Sequence, residues 1–546
     1  MSVKNPVKFD GMYYGNLSSD MAQAIKKVTQ SQVIPNFKNT IFLFPEDIVQ
    51  KALKEGISVR QYLKANNLSA SDYIGALRDY QTVGAAFLYL SSGSIISDGV
   101  GLGKTVVISA LLNILSLKHE MKGFILAVEK AALKQTHLEL LSKTGLHVVM
   151  IPPEAKKLQK VIDTTDWSNV DGIVITHNTL CSPIFNKFID KHTYRRDGGG
   201  IGCSLFDVFI LDESAIAKNS ITTIHTASTR IARMMLRNHC MNATLYEMDI
   251  MDIYNQLELV NPHVLPRKTY IKNKYCVFGT EKIWTKTAQG PVQKEVRKMI
   301  GYKNTDEFKE SLKLFIFGRY IEDEKNEYEV HFLLPTLDQQ LAINSGLRYP
   351  EVLNCPSLLP RQYEKKGMAV RYELPFDKEN NPKLRHLIKL VEQYKDKKIM
   401  IYTFHKEAQC TIKEECEALG LNCLILNGAI TSPNKRQEIM DGFNKKDYTV
   451  IITNVKKSLN LYDGDVCILF SMESNPAKLE QIRGRIERNV DKKVKLYIML
   501  VYRFTGEFRL FEDKLVTRGV DAKKLSTDAK SAIDYFLQGK HFYINE

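Results

Sequence analysis

The segment Ser97-Asp98-Gly99-Val100-Gly101-Leu102-Gly103-Lys104-Thr105 holds the residues best suited to chemistry in this chain of 546 residues. The apolar pair Ile95-Ile96 precedes it, and the helix-like run Val106-Val107-Ile108-Ser109-Ala110-Leu111-Leu112 follows it. A strand, a glycine-rich turn and a helix N-terminus in that order make a phosphate cradle. Backbone N–H groups of the turn converge on an anion, and the helix end adds a favourable dipole. Gly101 and Gly103 let the backbone come close to the phosphates. Lys104 can reach the β- and γ-phosphates of a nucleoside triphosphate, and the Thr105 hydroxyl can hold Mg²⁺. Asp98 departs from the usual loop pattern, which has Gly at that position.

Two further constellations fit the same chemistry. Ile210-Leu211-Asp212-Glu213-Ser214 places two carboxylates at the end of an apolar strand. Beside a bound nucleotide, Asp212 would hold Mg²⁺, and Glu213 would orient and polarise the attacking water. The bland alternative is an acidic pair facing solvent. Farther along, Gln481-Ile482-Arg483-Gly484-Arg485-Ile486-Glu487-Arg488 would, as a helix, set Gln481, Arg485 and Arg488 on one face. Across a cleft from the phosphate loop, Arg485 and Arg488 could stabilise charge on a transferring phosphoryl group. In isolation, such a stretch is more often a solvated basic helix.

These residues need a scaffold, and the apolar pattern supplies one. From about 71 to 262, strand-like runs such as Gly123 to Val128, Gly172 to Thr176 and Val208 to Leu211 alternate with amphipathic helices. That alternation predicts a parallel sheet with helices on both faces. Residues 263–380 lose the rhythm and read as an inserted, partly helical region rich in Lys, Tyr and Pro. The rhythm returns over 381–510, with strand candidates at Ile399 to Tyr402, Cys423 to Leu426, Thr449 to Ile452 and Val466 to Phe470. The expected fold is α/β, with two lobes on parallel sheets. Residues 1–70 form a small accessory domain and 511–546 a helical tail in this reading.

Bulk properties narrow the class. The length suggests about three to four domains. The apolar share of 44% is ordinary for a chain with a real core. A net charge of +14 suits a polyanion partner, most simply nucleic acid. The nine cysteines show no Cys-x-x-Cys and no Cys/His cluster, which argues against a zinc site and for reduced thiols. No run approaches the ~18 apolar residues of a membrane span, so a soluble, cytoplasmic protein without a membrane partner is expected.

The ordered motifs resemble the Swi/Snf-type branch of the superfamily-two helicases and translocases. Leu77-Arg78-Asp79-Tyr80-Gln81-Thr82-Val83-Gly84 is similar to that family's adenine-recognition segment, with Arg78 and Gln81 on the nucleotide. Asp98 to Thr105 resembles its motif I, whose pattern also begins with Asp. Asp212-Glu213-Ser214-Ala215-Ile216-Ala217-Lys218-Asn219 resembles motif II. Asp252 to Leu257 and Val260-Asn261-Pro262 look like the run that closes the first lobe. In the second lobe, Asn427-Gly428, Arg436 and Phe443 fall where the family has Gly, Arg and Phe. Ser458-Leu459-Asn460-Leu461 resembles motif V, Asn475-Pro476 the motif after it, and Gln481, Arg485 and Arg488 motif VI. The resemblance spans roughly 77 to 500 in correct order.

There are departures. Ala215 stands where the family usually has His. The segment usually written Thr-Gly-Thr-Pro reads Asn242-Ala243-Thr244-Leu245. Motif V is one residue short, with Lys456-Lys457 in place of glycines, and Ser474 replaces a Trp. Such drift suits a divergent viral or mobile-element member, which would act in the host cytoplasm or at the nucleoid. The resemblance implies two RecA-like lobes, ATP with Mg²⁺ as cofactors, and movement on double-stranded or branched DNA. Remodelling would follow by branch migration, fork reversal or displacement of bound protein. Phe42-Leu43-Phe44-Pro45 has a faint counterpart ahead of the core in fork-remodelling members. From the motif Ia, Ib and IV positions, the nucleic-acid face would include Lys130, Thr176, His177, Asn178, His405 and Lys406. Replication, recombination or transcription proteins are candidate partners. Two other readings stay open: a transcription-associated ATPase acting on RNA polymerase or RNA, and a hydrolysis-deficient clamp that senses nucleotide on DNA.

Overall fold

The computed structural model describes residues 7–9, 12–15, 19–30, 46–55, 57, 59–68, 77–99, 101–243, 250–261, 266–287, 290–321, 326–356, 374–430, 433–445, 448–455, 461–473, 476–486, 493–512 and 532–545. The chain divides into two units after Ile321. The expected Phe42 to Pro45 signal, Thr244, Leu245, Pro262, Lys456 to Asn460, Ser474, Asn475 and Arg488 lie outside the described residues.

In chain order, the strands of the first unit are β1 (Val7–Phe9), β2 (Met12–Gly15), β3 (Gly93–Ile96), β4 (Phe124–Val128), β5 (Val148–Met150), β6 (Gly172–Thr176), β7 (Thr193–Arg195), β8 (Ile201–Cys203), β9 (Val208–Leu211), β10 (Arg237–Met241), β11 (Cys276–Thr287), β12 (Gly290–Tyr302) and β13 (Ile316–Ile321). Nine of them form one sheet in the order β1-β2-β13-β3-β10-β9-β4-β6-β5. The seven from β13 to β5 run parallel, and β2 and β1 add an antiparallel edge.

Every residue of β3, β4, β6 and β9 is buried. That is why β4, β6 and β9 read as almost wholly apolar runs: a parallel sheet covered on both faces has no wet side. Alternate residues supply two cores. Phe124, Leu126, Val128, Val208 and Ile210 face one; Ile125, Ala127, Ile173, Phe209 and Leu211 face the other. The Lys104–Leu117 helix is buried without interruption from Val107 to Leu115.

The strands of the second unit are β14 (Glu327–Leu333), β15 (Ile399–Tyr402), β16 (Cys423–Leu426), β17 (Val450–Thr453), β18 (Val466–Leu469), β19 (Leu496–Tyr502) and β20 (Lys540–Ile544). They form one sheet, all parallel, in the order β16-β17-β15-β18-β19-β14-β20. Met400, Tyr402 and Cys467 pack on one face, Ile399, Ile401 and Ile468 on the other. The two-lobed α/β fold expected from the sequence is the observed one.

The boundaries differ from the expected ones. Ile25, Ile48, Ala52, Tyr62 and Leu63 pack into a core of the first lobe, so the described residues between 19 and 65 share that core. Their helices are too short to bury much apolar surface against one another. The 263–380 stretch is shared out: β13 enters the first sheet beside β3, and β14 enters the second beside β19. The 511–546 tail adds β20 to the second sheet as well as the helix Ala532–Gln538. No helix of the described residues is long and apolar enough to cross a membrane.

Candidate functional site

Three neighbouring strands of the first sheet end at one level. Met241 of β10 is paired with Ile96 of β3, and Cys240 with Leu211 of β9. The chain therefore leaves β3 into Ser97-Asp98, β10 into Asn242 and β9 into Asp212-Glu213, side by side. Ligands of open α/β sheets bind at such carboxyl ends.

After β3 the chain turns through Gly101 (φ 82°) and Gly103 (φ 78°), both left-handed. Gly103 caps the Lys104–Leu117 helix, which puts Lys104 and Thr105 at its first two positions. Lys104 Nζ donates to the Asp98 carbonyl at 3.2 Å, folding the ammonium back over the turn. A Cβ on Gly103 would come within 2.7 Å of Gln81 Nε2, so the turn has no room for a side chain there. Gln81 is buried. Its Oε1 accepts from the Arg78 N–H (3.1 Å), and its Nε2 donates to the Leu102 carbonyl (3.3 Å). Gln81 thus ties the start of the Asp79–Leu90 helix to the phosphate turn. Arg78 is exposed, with its guanidinium 3.1 Å from the Tyr80 hydroxyl.

Asp212 and Glu213 are half-buried. Asp212 Oδ1 accepts the Glu213 N–H at 2.9 Å. Glu213 has φ 49° and ψ 49°, the left-handed region that a residue with a Cβ enters at a cost. Behind the pair, Ser214 Oγ donates to Gln256 Oε1 (2.6 Å), which also accepts from Asn242 Nδ2 (3.4 Å). This buried chain joins the segment after β9 to the segment after β10. Sequence reasoning did not single out Asn242 or Gln256 as site residues; the only signal was that they fall in the Asn242-Ala243-Thr244-Leu245 segment and the Asp252 to Leu257 run.

The donor set suits Mg²⁺ with a nucleotide: a threonine hydroxyl, a carboxylate, and backbone N–H groups around glycines with no side chain in the way. Mg²⁺ prefers one or two carboxylates plus phosphate oxygens over an all-protein cage. Among the described residues, no group of three His, Cys, Asp or Glu gathers to hold a metal.

In the second unit the helix Pro476–Arg483 ends before Arg485, which lies in the following turn. Arg485 still reaches back, its Nε donating to the Gln481 carbonyl at 2.7 Å. Gln481 is buried, and its Oε1 meets no hydrogen-bond partner among the described residues. A buried acceptor left open points to a ligand or water. Arg483, between them, is structural: it bonds Glu480 and the Tyr328 hydroxyl, each at 2.8 Å.

The expected nucleic-acid residues divide. Lys130, Asn178 and Lys406 are exposed, and His405 is half-buried at the cap of the Lys406–Ala418 helix. Burial pushes the His405 imidazole below its usual pKa, partly offset by Glu351 and Glu407. Thr176 and His177 are corrected. Both are buried, with Thr176 Oγ1 on the Thr179 N–H and hydroxyl and His177 Nε2 on the Asp212 carbonyl at 2.8 Å. His177 holds the backbone of the carboxylate pair in place.

Residues 382–490 match the family described as helicase conserved C-terminal domain. The chain is 24% identical over 513 residues to the DNA repair protein rhp54 of Schizosaccharomyces pombe, covering 83% of this chain and 58% of that one. It is 23% identical over 447 residues to the uncharacterized ATP-dependent helicase YqhH of Bacillus subtilis, covering 75% and 72%. The DNA repair and recombination protein RAD54 of Oryza sativa is 24% identical over 526 residues, covering 82% and 51%. The chain spans little more than half the length of the fission-yeast and rice relatives. Among solved structures, the Sulfolobus solfataricus SWI2/SNF2 ATPase core in complex with dsDNA is 19% identical, covering 82% of this chain and 92% of that one, with a TM-score of 0.38. Residues 382–490 thus match a helicase C-terminal domain, and the chain as a whole is similar to Rad54-type DNA repair proteins and to an ATP-dependent helicase.

Proposed function

We propose that the chain is a DNA-dependent ATPase that translocates on duplex or branched DNA and remodels it. The observation that carries this reading is the level at which β3, β10 and β9 end. A glycine-bounded phosphate turn, the Asp212-Glu213 pair and Asn242 are neighbours there. Bound Mg²⁺-ATP supplies the phosphoanhydride whose hydrolysis does the work. Lys104 neutralises phosphate charge, and Thr105 and Asp212 would hold the metal. Glu213 orients and polarises the attacking water. Gln81, with Arg78 beside it, reads the adenine. Gln481, Arg485 and Arg488 are assigned the family's motif VI role in nucleotide binding and phosphoryl transfer. DNA, rather than RNA, is favoured by relatives named as DNA repair and recombination proteins.

The test is steady-state ATP hydrolysis by the purified chain, alone and with duplex DNA, a four-way junction, single-stranded DNA or RNA. Strong stimulation by duplex or junction is expected, and Lys104→Ala abolishes it while leaving DNA binding largely in place. Stimulation by RNA alone would replace this reading with a transcription-associated ATPase. No hydrolysis under any condition would replace it with a nucleotide-sensing clamp.

A further inference from the structure

The largest fully buried side chain among the described residues is a charged one, Arg319 of β13. Its Nε donates to Asp98 Oδ1 at 2.8 Å and a terminal nitrogen donates to Asp98 Oδ2, a two-pronged pair with both partners completely buried. The other terminal nitrogen donates to the Tyr80 carbonyl. The guanidinium lies over the rings of Tyr80 and Phe317, 5.2 and 5.4 Å from their centroids. On its remaining side is Gly84, where a Cβ would sit 3.0 Å from the guanidinium nitrogens. The backbone joins in: the Gly99 N–H donates to the Arg319 carbonyl at 3.0 Å.

Such a pair is a poor device for stability alone. Well-packed apolar side chains of similar volume serve as well or better, because two charges taken from water must first recover their desolvation. What guanidinium adds is a rigid fork that holds several acceptors at fixed angles. Here the acceptors belong to two separate segments. Asp98 opens the phosphate turn, and its own carbonyl is the one Lys104 reaches. Tyr80 immediately precedes Gln81 on the base-reading segment. The same two segments also meet through Gln81 and the Leu102 carbonyl, a contact that loosens when Gln81 turns to a base.

We infer that Arg319 is a positioning residue. It fixes the base-reading segment against the phosphate turn, so that a nucleotide is held at both ends as one unit. This rests on the reading of the turn as an ATP site.

The experiment is calorimetric binding of Mg²⁺-ATP and of Mg²⁺-tripolyphosphate to the full chain. The second ligand has the phosphates and lacks the base. Arg319→Lys keeps the charge but cannot bridge three acceptors in one plane. It should weaken ATP by about tenfold, the worth of a charge-assisted hydrogen bond, and leave tripolyphosphate unchanged. Gly84→Ala leaves Asp98 paired and crowds the guanidinium by a few tenths of an ångström. It should give the same selective loss, smaller, and it decides the matter if Arg319→Lys does not fold. Equal loss of both ligands, or of neither, in a folded variant overturns the positioning role and leaves the nucleotide site standing. A wild-type chain that binds ATP no better than tripolyphosphate overturns both.

Discussion

At the scale of single residues, Glu213 is where conformation and chemistry conflict. A side chain with a Cβ at φ 49° costs roughly 1–2 kcal/mol relative to the right-handed region. The strain aims a carboxylate from the strand end beside Asp212, where a water could be activated. Three substitutions separate the two effects. Glu213→Gln keeps shape and strain and should abolish ATP hydrolysis. Glu213→Ala and Glu213→Gly should be equally inactive, yet Gly should be more stable than Ala by about 1 kcal/mol, because only glycine sits there without cost. Urea unfolding of the pair reads the difference directly. Equal midpoints would mean that the turn relaxes freely and that the backbone is not under load. Arg319 marks the limit of sequence reading at this scale. A lone arginine in an irregular stretch looks like a surface residue, and only long-range pairing of β13 with β3 takes it inside.

At the scale of elements, the legible parts were those with local causes. The alternation of apolar runs and amphipathic helices located β4, β6 and β9, because a parallel strand buried on both faces is largely apolar. The illegible parts depend on distant partners. β1, β2, β13, β14 and β20 are short or mixed in composition, and each is defined by the strand it joins rather than by its own pattern. Thr176 and His177 were expected on the nucleic-acid face from motif position alone, which carries no information on burial. They stand at the end of β6, where the next residue, Asn178, does reach solvent. The neighbouring strand β10 carries a further prediction. His239 faces Ser94 of β3, its Nδ1 3.0 Å from the hydroxyl, and burial lowers its pKa to about 3. The unfolded chain takes up a proton below pH 6.5 that the fold refuses, so stability is full above pH 6.5 and falls as pH drops toward 3. Between pH 7 and pH 5 the loss from this one group is about 2 kcal/mol. Both tryptophans, Trp167 and Trp284, belong to the first unit, so their fluorescence reports its unfolding alone. His239→Asn should remove most of that pH-dependent loss. An unchanged loss in the variant would mean that other groups, such as the buried His137, carry it.

At the scale of the whole molecule, the charge of +14 is the property that no single motif explains. If its purpose is a phosphate backbone, binding must be governed by released counterions. The logarithm of affinity then falls linearly with the logarithm of salt, with a slope of about −0.9 per phosphate neutralised. A chain that tracks duplex DNA through about 6–10 phosphates should therefore lose on the order of 10³–10⁵ in affinity between 50 and 200 mM salt. The residues divide by what they should do to that slope. Lys130→Ala or Lys406→Ala, each removing an exposed cation, should reduce it by about one and weaken binding to every DNA sequence alike. Thr176→Val should leave it unaltered, since that hydroxyl is spent on Thr179. Lys104→Ala should also leave it unaltered, although it removes a cation too, because Lys104 belongs to the nucleotide rather than to the strand. Fluorescence anisotropy of a labelled duplex across a salt series makes the comparison. A slope that drops equally for Lys104, Lys130 and Lys406 would mean that the excess charge is a diffuse field with no defined face, and the nucleic-acid surface would then have to be sought elsewhere in the chain.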